Sequence, residues 1–275
     1  MNAAPFILLA LAFGATWLPA AAEVFPLPIW VVIGAGAVAV AGFAGQTSLV
    51  GVVLLGLLAG ACGAWLRFGG SAGLSGGGRR VAALSVCGAL ALGIGFAGPG
   101  VFPPVHIGPS GGSFGKAAAG LFLFAAVAKR FDRPRGGGRA ALFGMFFGIG
   151  VTGILGAIAA GIGYLRWSPH GGPLAAIEFA IGNAVFAVLP EEAFFRGLIQ
   201  APMEERFSRG SARAVPVLVS AGAFGLVHFG AGVTFVVLAT MAGVANALVY
   251  SLTRRIEAPV LCHLTLNALR VVLFQ

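Results

Sequence analysis

The chain has 275 residues, of which 59% are hydrophobic and only 9% are charged, and its net charge is +9. A soluble domain carries about one-quarter charged residues, so this composition excludes an ordinary soluble globule, a disordered chain and a coiled coil. The mean hydropathy of +0.98 indicates a protein that keeps most of its surface in lipid.

Apolar segments run along the whole chain. About 20 apolar residues cross the ~30 Å hydrocarbon core of a bilayer, and fewer suffice where helices are short or buried. We identify ten such segments, at 5–22, 28–44, 48–66, 81–98, 114–128, 140–165, 174–200, 213–229, 232–252 and 258–274. The first lacks a basic n-region and is interrupted by Pro19, so we expect a retained span rather than a signal peptide. The pattern predicts an all-α polytopic transmembrane helical bundle of about ten spans.

Basic residues fall in every second loop. The basic loops are 67–80, 129–139, 201–212 and the turn at 254–255. The loops without a basic residue are 23–27, 45–47, 99–113 and 230–231, and 166–173 carries Arg166 alone. The positive-inside bias predicts that the basic loops are cytoplasmic and, with ten spans, that both termini lie on the outer side. This arrangement explains the basic excess without a nucleic-acid partner.

Small residues within the segments are interpreted as packing residues. The three cysteines, Cys62, Cys87 and Cys262, lie in apolar runs without CxxC or Cys/His spacing, which favours buried small side chains over redox or metal groups. Two glycine pairs four residues apart, Gly56 with Gly60 and Gly144 with Gly148, predict close helix packing.

Polar and ionisable residues concentrate in the last four segments. They are Glu178, Glu191, Glu192, Arg196, His228, Asn246, His263, Asn267 and Arg270. Ionisable groups inside a membrane are energetically expensive and mark functional sites. We therefore expect the function to reside in residues 174–275.

Three short motifs stand out in this part of the chain. Glu192 and Arg196 are one helical turn apart and can form an ion pair, while the adjacent Glu191 lies about 100° further round the helix. His228 follows Phe224 by four residues, and His263 precedes Asn267 by four. Each motif alone has a plain structural interpretation: a solvated helix end, a core histidine, or a polar pair that joins helices.

Taken together, the motifs favour hydrolytic chemistry. A carboxylate, two imidazoles and an amide on different helices can activate water and stabilise an oxyanion. A metal site with His, His and Glu ligands is the other arrangement such a set permits. The chain contains no HExxH, which argues against zincins, and Ser220 lacks the context of a nucleophile, which argues against a rhomboid-like serine protease.

The ordered set Glu191-Glu192-xxx-Arg196, Phe224-xxx-His228 and His263-xxx-Asn267 resembles the CPBP intramembrane proteases. This family includes the type II CAAX prenyl endopeptidases and bacterial homologues that process bacteriocins or confer immunity. The resemblance covers about 174–272. It divides the chain into an N-terminal transmembrane region without family motifs, 1–139, and a CPBP-like membrane domain, 140–275, whose motifs lie within 190–267.

The resemblance implies a role for each motif residue. Glu191, together with His228, would activate the hydrolytic water, and His263 and Asn267 would bind the oxyanion. Glu192, Arg196 and Phe224 would support them. The glutamate mechanism requires no cofactor, although the family is often labelled a metalloprotease and zinc is the alternative.

The expected function is an intramembrane endopeptidase of the bacterial cell membrane. Its substrate would be a membrane-anchored protein or peptide, cut during protein sorting or peptide maturation. The alternative is a non-enzymatic immunity or scaffold protein, or a transporter, on the same helices. A transporter is typically built from broken helices and paired repeats, and the sequence shows neither clearly.

One expectation concerns depth in the membrane. At 1.5 Å per residue, Glu191 would lie roughly 14 Å, His228 roughly 22 Å and His263 roughly 10 Å from the cytoplasmic helix ends. Straight helices would not bring these side chains together, although we expect them to converge in the cytoplasmic half or middle of the bilayer.

Overall fold

A computed structural model describes residues 3–16, 23–24, 27–68, 74–107, 110–130, 137–207 and 210–275. Within these residues ten helices lie at the positions of the ten apolar segments. They are α1 (Ala4–Ala15), α2 (Ile29–Phe43), α3 (Leu49–Phe68), α4 (Leu74–Gly95), α5 (Phe114–Arg130), α6 (Gly137–Gly161), α7 (Pro173–Arg206), α8 (Ala214–Leu226), α9 (Val233–Thr253) and α10 (Glu257–Leu273). The predicted all-α fold class is confirmed.

Two short hairpins, which the sequence analysis does not anticipate, lie between the helices. Strand β1 (Glu23–Val24) pairs antiparallel with β2 (Leu27–Pro28), and β3 (Pro104–Ile107) pairs with β4 (Ser110–Ser113). The end of the first predicted span, 17–22, lies outside the described residues. So do 69–73, 131–136 and 208–209, which belong to the predicted cytoplasmic loops.

The helices have the composition of an integral membrane bundle. By length and hydropathy, four of the described helices can cross a membrane: α3, α6, α7 and α9. Shorter apolar helices are α1, α2, α5, α8 and the part of α4 from Val81 to Gly95. Helix α10 has 17 residues and carries two of the predicted site residues, His263 and Asn267.

The described residues form two compact units. The first contains the residues up to His106, then 110–130 and 185–190; the second contains 107, 137–184 and 191–275. The predicted boundary between residues 139 and 140 is a statement about motifs and stays a prediction.

Helix α5 is the central helix of the first unit. Its residues 117–127 are all buried, as expected for a helix that is apolar on every side. Aromatic side chains pack edge to face around it: Phe6 contacts Phe114 with ring centroids 5.7 Å apart, and Phe13 contacts Phe124 at 5.9 Å. A Cβ on Gly120 would lie 2.9 Å from Cα of Pro190, so only glycine permits this approach.

In the second unit, α6 lies along α10. A Cβ on Gly144 would collide with the carbonyl of Ala258, and one on Gly148 would lie 2.6 Å from the carbonyl oxygen of Cys262. The close packing predicted for this glycine pair is confirmed. The same prediction is wrong for Gly56 and Gly60, since no atom of the described residues lies within 4 Å of a Cβ built on either. Spacing alone does not tell which side of a helix meets a neighbour.

Candidate active site

Helix α7 carries the two glutamates and is not a regular α-helix. It has π-helical stretches at Ala184–Val188 and Ala193–Gln200, on either side of a short α-helical segment, Leu189–Glu192. In the second stretch the backbone N–H of Ala201 donates to the carbonyl of Arg196, five residues back. Such π-bulges are rare and frequently occur at functional sites.

Two prolines account for the irregular turns of α7. Proline has no backbone N–H, and its ring clashes with the carbonyl four residues earlier in an α-helix. Pro190 and Pro202 each lie two residues beyond a π-helical stretch, so the carbonyls concerned, those of Phe186 and Leu198, lie within the wider turns. Proline at these positions is therefore the sequence signal for the irregular backbone.

Glu192 and Arg196 form the predicted ion pair. Arg196 Nε lies 2.8 Å from Glu192 Oε2, and both side chains are fully buried. Arg196 Nη1 also donates to Ser220 Oγ on α8 at 2.6 Å, and that hydroxyl donates to the carbonyl of Phe195 at 3.0 Å. Ser220, which the motifs leave unassigned, thus connects α8 to the pair.

The second oxygen of Glu192 holds His263. His263 Nδ1 lies 2.8 Å from Glu192 Oε1, and Asn246 Nδ2 on α9 approaches the same oxygen at 3.4 Å. Both partners are buried. One carboxylate therefore connects α7, α9 and α10.

Glu191 lies on the other side of the same imidazole. His263 Nε2 is 4.0 Å from Glu191 Oε2, whose side chain is 14% exposed. The two side chains therefore converge, as expected.

Phe224 brings His228 to this cluster. Its ring centroid lies 5.0 Å from that of His228, 5.4 Å from that of His263 and 5.7 Å from the guanidinium carbon of Arg196. Its backbone carbonyl accepts a hydrogen bond from His228 Nδ1 at 2.7 Å. Because a carbonyl only accepts, Nδ1 must carry the proton, and in a neutral ring Nε2 is left as the acceptor.

Asn267 bonds to a different residue of α7 from the one that holds His263. Its Nδ2 donates to Asn183 Oδ1 at 3.0 Å, and both side chains are partly buried. Asn183 is the last residue of the regular first segment of α7. The sequence analysis does not single it out, because a lone asparagine in an apolar helix has no motif around it.

A second polar cluster, also missed from the sequence, lies one turn beyond the site. Gln200 Nε2 donates to Glu204 Oε1 at 2.9 Å and to the carbonyl of Ala247 at 2.8 Å. Ser251 donates to the same carboxylate, and Arg254 Nη1 lies 2.7 Å from Glu204 Oε2. These contacts connect the end of α7 to the end of α9.

Zinc was the alternative cofactor. In the part of the chain that the structure describes, no three His, Cys, Asp or Glu side chains are grouped so that they could hold a metal ion. His263 is instead engaged by two carboxylates, one on each ring nitrogen. We derive no step through a zinc ion.

Comparison with known proteins bears on the same segment. Residues 173–269 match the family model described as type II CAAX prenyl endopeptidase Rce1-like. This segment is CAAX-protease-like. The resemblance predicted from the three motifs is confirmed. The motif residues, from Glu191 to Asn267, all lie inside the match. Comparisons with curated proteins and with solved structures give no significant match.

Proposed function

We propose that the chain is an intramembrane endopeptidase that hydrolyses a peptide bond with water activated by Glu191 and His228. The observation that carries this proposal is the position of His263 between two carboxylates, with Nδ1 2.8 Å from Glu192 and Nε2 4.0 Å from Glu191. The match to a family of CAAX-type proteases supports the reaction class. Ionisable groups inside a membrane are energetically expensive, which favours a functional site over a scaffold protein on the same helices.

In the proposed reaction, a water molecule attacks the carbonyl carbon of the scissile peptide bond. Glu191 accepts one proton of this water as the new C–O bond forms, assisted by His228, whose Nε2 is the acceptor of a neutral ring. The carbonyl oxygen becomes an oxyanion. When the C–N bond breaks, the proton passes to the leaving amine and a carboxylic acid is released.

His263 and Asn267 are proposed to stabilise the oxyanion. With a proton on both ring nitrogens, His263 can donate from Nε2 while Nδ1 donates to Glu192.

The proposed substrate is a membrane-anchored protein or peptide. The proposed location is a bacterial cell membrane, with the basic loops cytoplasmic. Protein sorting and peptide maturation are the processes in which such a cleavage would serve. The reaction as proposed uses no metal, so purified metal-free protein should cleave. Complete dependence on added zinc would contradict the roles given to Glu191 and His228.

Glu191→Gln is the test of this function. Glutamine keeps the shape of the side chain and its hydrogen-bonding capacity but accepts no proton from water. The variant should fold and retain bound substrate, while cleavage falls by about 10²–10⁴-fold. Purification of the trapped complex and mass spectrometry would identify the substrate. A Glu191→Gln variant that cleaves at the normal rate would remove Glu191 from the mechanism.

A further inference from the structure

The carboxamide of Asn267 can lie in two orientations, and its own helix does not select between them. A carboxamide has an acceptor on one side and a donor on the other, and only the donor can stabilise an oxyanion. If Asn267 turned its oxygen toward the reacting carbonyl, it would repel the developing charge. Some neighbouring group must therefore select the donor orientation.

We infer that Asn183 is a positioning residue for Asn267. Its Oδ1 accepts one N–H of Asn267 Nδ2 at 3.0 Å, which holds the nitrogen end of the amide and leaves the second N–H of the same nitrogen for the substrate. A flipped Asn267 would place two carbonyl oxygens against each other. This inference rests on the proposed function, since it assigns a purpose to the donor of Asn267.

The position of Asn183 fits this role. It ends the regular segment Pro173–Asn183, and the π-helical turn Ala184–Val188 follows directly. Asn183 and Asn267 lie on α7 and α10, the same two helices that carry Glu192 and His263. The contact therefore ties the oxyanion-binding side chain to the helix that carries the proposed base.

Two substitutions of Asn183 separate positioning from structural support, because the two roles predict opposite rankings. Asn183→Asp keeps an oxygen acceptor and removes the alternative donor, so Asn267 remains in the donor orientation. Asn183→Leu keeps the approximate size and removes the acceptor. In a membrane span, leucine is far better tolerated than aspartate, so the yield of folded protein should rank Leu above Asp. The turnover number should rank Asp above Leu.

The assay uses a mixture of internally quenched peptides of random apolar sequence in detergent micelles. Activity is counted only where wild-type protein cleaves and Glu191→Gln does not. Asn183→Leu should lower kcat at least about tenfold with KM nearly unchanged, and by less than the ~10²–10³-fold expected for losing the donor in Asn267→Ala. The double variant should be no slower than Asn267→Ala alone. Thr152→Val, which removes a hydroxyl bonded only within α6, is the control.

Each outcome has a separate meaning. If Asn183→Leu leaves kcat unchanged, or if its effect adds fully to that of Asn267→Ala, the inference about Asn183 is overturned and the proposed function stands. Should Asn183→Asp be well folded and as slow as Asn183→Leu, the inference also fails. Absence of any Glu191-dependent cleavage would overturn the proposed function and, with it, this inference.

Discussion

The two units of the chain bury different kinds of side chain. In the described residues of the first unit, the buried polar groups are the neutral Gln46, Thr47 and Ser110, and the interior is formed by aromatic and small residues. The second unit buries Glu192, Arg196, Glu204 and His263, together with neutral partners. Both units are built from apolar helices, so the difference is not required by life in a membrane. Among the described residues, buried charge is confined to the unit that carries the proposed active site.

The units also differ in how a substitution should act. Removing a partner from a buried charge network leaves another charge uncompensated, whereas changing an apolar contact alters only volume and contact area. The comparison therefore predicts the largest losses in the second unit and intermediate losses at the tightest contacts of the first.

The largest loss of stability is expected for Arg196→Ala. The substitution leaves Glu192 Oε2 without the guanidinium group that lies 2.8 Å away, and it leaves Ser220 Oγ without the hydrogen bond from Arg196 Nη1. For a buried pair the cost is about 3–5 kcal/mol. Thermal unfolding of the detergent-solubilised protein measures it, with Arg166→Ala, at an exposed arginine, as control. Equal melting temperatures for the two variants would show that the network contributes nothing to stability.

An intermediate loss is expected in the first unit for Gly120→Ala. The new Cβ would lie 2.6 Å from Cγ and 2.9 Å from Cα of Pro190, and overpacking of this kind costs about 1–3 kcal/mol. Because Pro190 directly precedes Glu191, cleavage should fall as well. Gly56→Ala, on the same unit but facing open space, should be neutral or slightly stabilising. If the two variants behave alike, the contact between Gly120 and Pro190 does not determine the position of Pro190.

A smaller loss is expected for Ser251→Ala, which removes a hydrogen bond to the Glu204 carboxylate and the one that Ser251 Oγ accepts from Gln200 Nε2 at 3.0 Å. Gln200 and Arg254 remain as partners of that carboxylate, so the cost should be about 0.5–1.5 kcal/mol. Thr234→Ala, at an exposed position on the same helix, is the matched control. A loss as large as that of Arg196→Ala would mean that the Glu204 cluster, not the Glu192 pair, dominates the stability of the second unit.

No loss of folding is expected for the variants that test orientation. In a background without native cysteines, Ser75→Cys and Gly138→Cys should react with a membrane-impermeant thiol reagent only after the membrane is opened. His106→Cys should react from outside in intact cells. The alternating basic loops are the reason for this expectation. Reaction of His106→Cys only in opened membranes would reverse the topology.

The sequence predicts the helices well because hydropathy is a local property. Each of the ten apolar segments corresponds to a helix, and the Glu192–Arg196 pair follows from helical spacing alone. The site is predicted in part. The π-helical turns of α7 are not predicted, and Asn183, Asn246 and Ser220 acquire partners only when other helices are present. Such contacts join residues 24 to 84 positions apart and leave no pattern along the chain.

The π-helical turns of α7 make the number of residues between Asn183 and Glu191 a structural parameter. A turn closed by a bond five residues back holds one residue more than an α-helical turn. With the π-helical turn kept, deleting one residue from 184–188 would rotate everything downstream by about 100°. Asn183 and the glutamates would then lose their common alignment toward α10. We therefore expect this stretch to tolerate changes of residue type far better than a single insertion or deletion.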